Sequence, residues 1–194
     1  MTTDISPARA RPGQKRETRG LVIVNTGEGK GKTTAALGLA LRAAGNDLKI
    51  LIIQFIKGRW KTGESQSLQL LSPNVDLIRT GLGFTIERLR DQRIPLADHE
   101  MAATDAFSRA AEVVRSGEYD MIVLDEILGS VKAGLIPLPN VLELIREKPP
   151  ALHLVLTGRG APPELIEAAD LVTEMKMVKH PYQQGIKAQR GIEF

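Results

Sequence analysis

The residues best suited to chemistry lie between positions 25 and 34. Gly27, Gly29 and Gly31 are interleaved with Glu28 and Lys30, and Lys32, Thr33 and Thr34 follow. Glycines let the backbone turn so that several N–H groups converge on one anion. Lys32 supplies a point charge for a polyphosphate, and the Thr33 hydroxyl suits a divalent cation such as Mg²⁺. The run fits the phosphate-loop pattern G-x-x-x-x-G-K-[ST] at Gly31, Lys32 and Thr33. It departs from the pattern at the first glycine, where Thr26 stands. Gly27 is the next residue and is expected to take over the turn.

Two further groups have the chemistry of such a site. The apolar run YDMIVLD ends in Asp125 and is followed by Glu126, which resembles a Walker B element. An acid at such a strand end holds Mg²⁺ directly or through water, or else caps the next helix. LHLVLT leads into Gly158, Arg159 and Gly160, which puts an arginine where phosphate or ribose oxygens could be held. There is no cysteine, which excludes disulfides, thiolate metal sites and a thiol nucleophile. The three histidines are far apart and lack metal-ligand spacing. His153, inside an apolar run, reads as a satisfied core or edge residue.

The elements that must position these groups alternate. Strands are predicted at 21–25, 49–54, 75–79, 119–125, 152–157 and 171–178. Helices are predicted at 32–44, stopped by Gly45, and at 64–71, 98–116, 127–133, 139–147 and 163–169. Uninterrupted apolar strands between helices predict an α/β fold of the P-loop NTPase kind. It would be a mainly parallel sheet of about six strands with helices on both faces. In such folds ligands sit at the carboxyl ends of the strands.

Residues 1–18 are polar and basic and read as a flexible arm, with 19–194 as a single domain that includes a C-terminal docking tail. Residues 80–97, with Gly81, Gly83 and Pro95, read as a long loop of the functional or mobile kind, whose apolar features are Phe84 and Ile86. With 194 residues, 42% hydrophobic and 25% charged, the composition is that of a globular protein. No apolar run approaches the ~20 residues of a membrane span, and no signal-peptide core is present. A cytoplasmic protein with no membrane partner is therefore expected. A net charge of +3 is weak evidence for nucleic acid, because part of the excess sits in the first 19 residues. With 4% aromatic residues and no basic, aromatic-interleaved strand, no nucleic-acid partner is expected.

Six segments together resemble the P-loop type of ATP:corrinoid adenosyltransferase, also called cob(I)yrinic acid a,c-diamide adenosyltransferase. They are TGEGKGKTTAALG at 26–38, IQFIKG at 53–58, GLGFT at 81–85, VLDE at 123–126, LTGRG at 156–160 and VKHPYQQGIKAQRGIEF at 178–194. The resemblance implies transfer of the 5′-deoxyadenosyl group of ATP to the cobalt of a Co(I) corrinoid (cobalamin, cobinamide or cobyrinic acid a,c-diamide), with release of triphosphate. Gly27 to Thr34 match the family's ATP-binding loop, with Lys32 among its catalytic residues. Thr33 and Glu126 match its Mg²⁺ positions, with Asp125 as an outer-shell partner, and Glu126 also counts among the catalytic residues. Arg159 matches its nucleotide-edge arginine. Phe84 matches an aromatic patch on the corrinoid side. Ile86 stands where tryptophan is common, and Glu28 where Asn or Asp is common. A homodimer and a reduced flavin protein as electron donor are implied by the resemblance alone. The competing readings are a corrinoid- or nucleotide-binding carrier or sensor without turnover, and a P-loop ATPase.

Overall fold

A computed structural model describes residues 19–56, 62–80 and 95–193. Six strands form one sheet: β1 (Val22–Thr26), β2 (Ile50–Gln54), β3 (Val75–Arg79), β4 (Met121–Asp125), β5 (His153–Thr157) and β6 (Leu171–Glu174). Their order across the sheet is β3-β2-β4-β5-β1-β6, and every pairing is parallel. Parallel neighbours need long crossovers, which the helices supply: α1 (Lys32–Ala44), α2 (Gly63–Ser67), α3 (Leu96–Ser116), α4 (Ile127–Lys132), α5 (Leu138–Glu147) and α6 (Pro163–Ala168). A 3₁₀ turn over Leu68–Leu71 continues α2, and another spans Pro181–Gln184. The α/β class, the parallel sheet and its six strands are as expected from the sequence.

Alternate residues of the central strands enter two separate cores. Ile23, Ile50, Ile52, Val123 and Val155 face α1 and bury Ala36, Ala40 and Ala43. Val22, Leu51, Ile53, Ile122, Leu124 and Leu156 face the other way, onto α3, α4 and α5. Because both faces are covered, β1, β2 and β4 are buried at every position. Alanines on the inner side of α1 bring it close to the sheet, which sets its N-terminus near the strand ends.

Some element bounds shift. β6 stops at Glu174, not Val178, because its partner β1 ends at Thr26 and the chain there leaves as the glycine loop. Gly45 caps α1 as expected, and Asp47 two residues on has a left-handed backbone. α3 begins at Leu96, directly after Pro95, two residues earlier than expected. His153 sits at the start of β5, where its Nδ1 accepts from the Leu21 N–H. The arm at 1–18, and Phe84 and Ile86 with the loop at 81–94, lie outside the described residues. No helix among the described residues is long and apolar enough to cross a membrane.

Candidate nucleotide site

The strand ends and the N-terminus of α1 gather most of the predicted side chains. β1 ends at Thr26, and the loop from Gly27 to Gly31 returns the chain into α1. Gly27 (φ 98°) and Gly31 (φ 108°) have left-handed backbones. A Cβ on Gly27 would stand 2.6 Å from the Met175 carbonyl oxygen, so this glycine does carry the turn. Thr26, the departure from the pattern, braces the strand ends, because its Oγ1 accepts a hydrogen bond from the Ala161 N–H at 3.1 Å. The Gly29 N–H donates to the Met175 carbonyl, which ties the loop to the segment after β6. Lys30 pairs with Glu193, a second tie to the C-terminal tail.

Lys32 is only 6% exposed. Its Nζ donates to the carbonyls of Gly27 (2.8 Å) and Gly29 (2.6 Å), so its charge lies within the loop it follows. Burial pushes the ammonium below its ordinary pKa. Glu126 pulls it back up, Arg159 lowers it further, and Glu28 raises it.

Thr33 and Asp125 meet. The Thr33 hydroxyl donates to Asp125 Oδ1 at 2.7 Å. The Thr157 hydroxyl donates to the same oxygen at 2.8 Å and accepts the Glu126 N–H at 2.9 Å. Gln54 Nε2 donates to Asp125 Oδ2 at 3.1 Å. Asp125 is thus buried and held at both oxygens. Glu126 has a left-handed backbone (φ 63°) and heads α4. For a side chain with a Cβ that conformation is uncommon, and it turns Glu126 out of the apolar strand that precedes it.

Arg159 is engaged as well. Its Nη1 donates to Glu28 Oε2 at 2.9 Å. The pair joins the glycine loop to the β5–α6 turn across the strand ends. Thr34 follows Thr33 in the first turn of α1 and is exposed.

Among the described residues no three His, Asp or Glu side chains gather into a metal site of their own. A Thr hydroxyl backed by a carboxylate fits the chemistry of a Mg²⁺ that takes its remaining oxygens from phosphates and water, and Thr33, Asp125 and Glu126 are the residues that could hold one.

The chain matches the family ATP:corrinoid adenosyltransferase BtuR/CobO/CobP over residues 18–194. It belongs to that family. Corrinoid adenosyltransferases from Pseudomonas aeruginosa (41% identical, covering 93% of this chain and 87% of the relative) and a Sinorhizobium species (42%, 93% and 83%) are similar over most of their length. So is corrinoid adenosyltransferase CobA of Salmonella typhimurium (37%, 95% and 91%). In fold alone, the chain is similar to the flagellar accessory protein FlaH of Methanocaldococcus jannaschii. The TM-score is 0.51 at 14% identity, over 80% of this chain and 70% of that one.

Two side chains of this candidate site escaped motif reading. Gln54 and Thr157 lie inside segments that carry the family resemblance, but neither belongs to a phosphate-loop or Walker B pattern. The available signal was position. Each is a polar residue closing an otherwise apolar strand, and parallel register sets both beside Asp125.

Proposed function

We propose that this adenosyltransferase moves the 5′-deoxyadenosyl group of ATP onto the cobalt of a Co(I) corrinoid, of the cobalamin, cobinamide or cobyrinic acid a,c-diamide type. The Co(I) electron pair forms the bond to C5′ of the ribose. The C5′–O bond breaks, and its electrons leave on triphosphate. No protein nucleophile is needed, which suits a chain without cysteine. The observation that carries the reading is the Gly27–Thr34 loop and its Thr33–Asp125 hydrogen bond, within a family match that spans the domain.

The chain's own residues then have two roles. One is to neutralise a leaving triphosphate. The loop N–H groups other than that of Gly29, which is bound to Met175, and the N-terminal end of α1 serve it, and Lys32 transfers its donors from the Gly27 and Gly29 carbonyls to phosphate oxygens. Arg159 adds a planar cation once it parts from Glu28. The other role is to hold C5′ in line with cobalt, where orientation supplies a large share of the rate. Phe84 is assigned to the corrinoid side on resemblance alone. Thr33 and Glu126 would hold Mg²⁺, with Asp125 behind them; when bound, the ion supplies positive charge to the triphosphate.

The same reading takes the enzyme to be a cytoplasmic homodimer served by a reduced flavin protein, with family likeness as its support. Supplying ATP, Mg²⁺ and chemically reduced corrinoid tests it. The visible spectrum should change to that of a Co–carbon bond, and intact triphosphate should accumulate. ADP and phosphate in its place would make the protein a P-loop ATPase. Binding of both substrates without product would make it a carrier or sensor.

A further inference from the structure

The glycine loop is tied to the chain that follows β6, and one peptide makes two of the ties. The Met175 N–H donates to the Thr26 carbonyl at 2.8 Å, and the Met175 carbonyl accepts from the Gly29 N–H at 2.6 Å. The first turn of the loop therefore closes around a residue far along the chain. Both of its glycines are needed for that approach. A Cβ on Gly27 would stand 2.6 Å from the Met175 oxygen, and one on Gly29 would stand 2.7 Å from the same atom. No side chain tolerates such an approach to a backbone oxygen. Gly31 differs, because a Cβ there would meet nothing within 4 Å, although its backbone is left-handed. Gly27 and Gly29 thus serve the segment after β6, and Gly31 serves the turn into α1.

A further tie comes from the end of the same segment, where Glu193 pairs with Lys30, the residue between Gly29 and Gly31. Glu193 is presented by a turn of its own, in which the Ile192 and Glu193 N–H groups both donate to the Gln189 carbonyl. The segment is otherwise lightly attached. Every residue from Lys176 to Ile192 except His180 is exposed. Such a segment buries too little apolar surface to be held in place by the core alone.

We propose that the C-terminal tail, residues 175–193, is a positioning element for the phosphate loop, with Glu193 acting through Lys30, and that tail docking and ATP binding reinforce each other. The proposal rests on the reading that this loop binds ATP. A glycine-rich loop has many conformations, and binding a polyphosphate selects one of them at a cost in entropy. The Met175 peptide fixes the loop at Thr26 and Gly29, and the Glu193 carboxylate fixes it at Lys30. The loop is then ordered before ATP arrives. Such coupling is reciprocal: the factor by which a docked tail raises ATP affinity is the factor by which bound ATP favours tail docking.

The test uses the full chain and reads Mg²⁺–ATP affinity by calorimetry at high salt, where the long-range effect of removing a charge is screened. Glu193→Gln, Lys30→Met and the double variant form a cycle. Glu193→Gln should weaken ATP binding by about 1.5- to 5-fold when Lys30 is present, the scale of a partly exposed ion pair. In the Lys30→Met background it should change nothing. Equal weakening in both backgrounds would overturn the proposal, because Glu193 would then act without Lys30. Unchanged or tighter binding with Lys30 present would overturn it too. A second measurement needs no variant. Trypsin can cut the tail after the exposed Lys179, Lys187 and Arg190, at rates that follow the undocked population. Saturating Mg²⁺–ATP should slow these cuts in the unaltered protein, and equal rates with and without ATP would overturn the proposal. Adenosyl transfer by the unaltered protein is measured alongside. If ATP affinity depends on the Lys30–Glu193 pair but no Co–carbon bond is made, the role of the tail stands and the proposed reaction falls. A Co–carbon bond with ATP affinity indifferent to Glu193 gives the reverse.

Discussion

Replacing Glu28 by Gln should tighten ATP binding. Glu28 sits in the glycine loop and holds Arg159 at 2.9 Å, so the arginine meets the nucleotide only after this pair breaks. The side chains of Arg159 and Glu28 are 55% and 59% exposed, which puts their contact in the class of exposed ion pairs. Such pairs contribute about 0.2–1 kcal/mol, so freeing Arg159 is worth about 1.4- to 5-fold in affinity. Removing a carboxylate from beside a polyphosphate adds a further gain that salt screens. A total of about 2- to 10-fold is expected at low salt, and less at high salt. Calorimetric titration of Glu28→Gln with Mg²⁺–ATP at both salt levels measures it. The same substitution in an Arg159→Ala background separates the two parts, since the salt-sensitive part survives there and the pair-breaking part does not. Weaker or unchanged binding in Glu28→Gln would refute the reasoning, because it would mean that Glu28 itself contacts the nucleotide. A gain undiminished in the Arg159→Ala background would refute the pair-breaking part.

Three other outcomes follow from the geometry. Lys32→Met removes a buried ammonium whose pKa is lowered by desolvation. Between that lowered pKa and the ordinary lysine value of 10.5 the unfolded chain binds more protons than the folded one, so stability rises with pH in this window. The stability of the ligand-free variant relative to the unaltered protein should therefore be most favourable below the window and decline as pH approaches 10.5. Denaturant melts across alkaline pH should show that slope, and a flat difference would contradict it. Thr157→Val deprives Asp125 Oδ1 of one donor and the Glu126 N–H of its acceptor. It should cost about 2–3 kcal/mol in urea unfolding, against little for a threonine at the surface. Gly27→Ala places a methyl group 2.6 Å from the Met175 oxygen on a left-handed backbone. It should weaken ATP binding at least about tenfold by titration, with the far-ultraviolet circular dichroism unchanged.

Most of the fold was legible because it rests on local pattern. Runs such as ILIIQ and MIVLD are too uniformly apolar for a half-exposed strand, and G-K-T-T after VIVNT marks a strand-to-helix turn. The errors fell where a neighbour decides. β6 reads as a strand through Val178, but a strand lasts only as long as its partner, and β1 ends at Thr26.

The candidate site divides in the same way. Gly27, Lys32, Thr33, Asp125, Glu126 and Arg159 were readable because phosphate and cation binding require those residue types at those chain positions. Their current partners were not readable. That Lys32 donates to loop carbonyls, that Glu28 occupies Arg159, and that Thr157 and Gln54 clamp Asp125 are relations between residues 3 to 131 positions apart. A parallel sheet sets such distant strand ends side by side, in a register that no single strand encodes. The sequence by itself therefore determined which chemical groups the protein has and the family it resembles. The tertiary structure alone decided which of those groups hold one another, and so which must let go before ATP can be held.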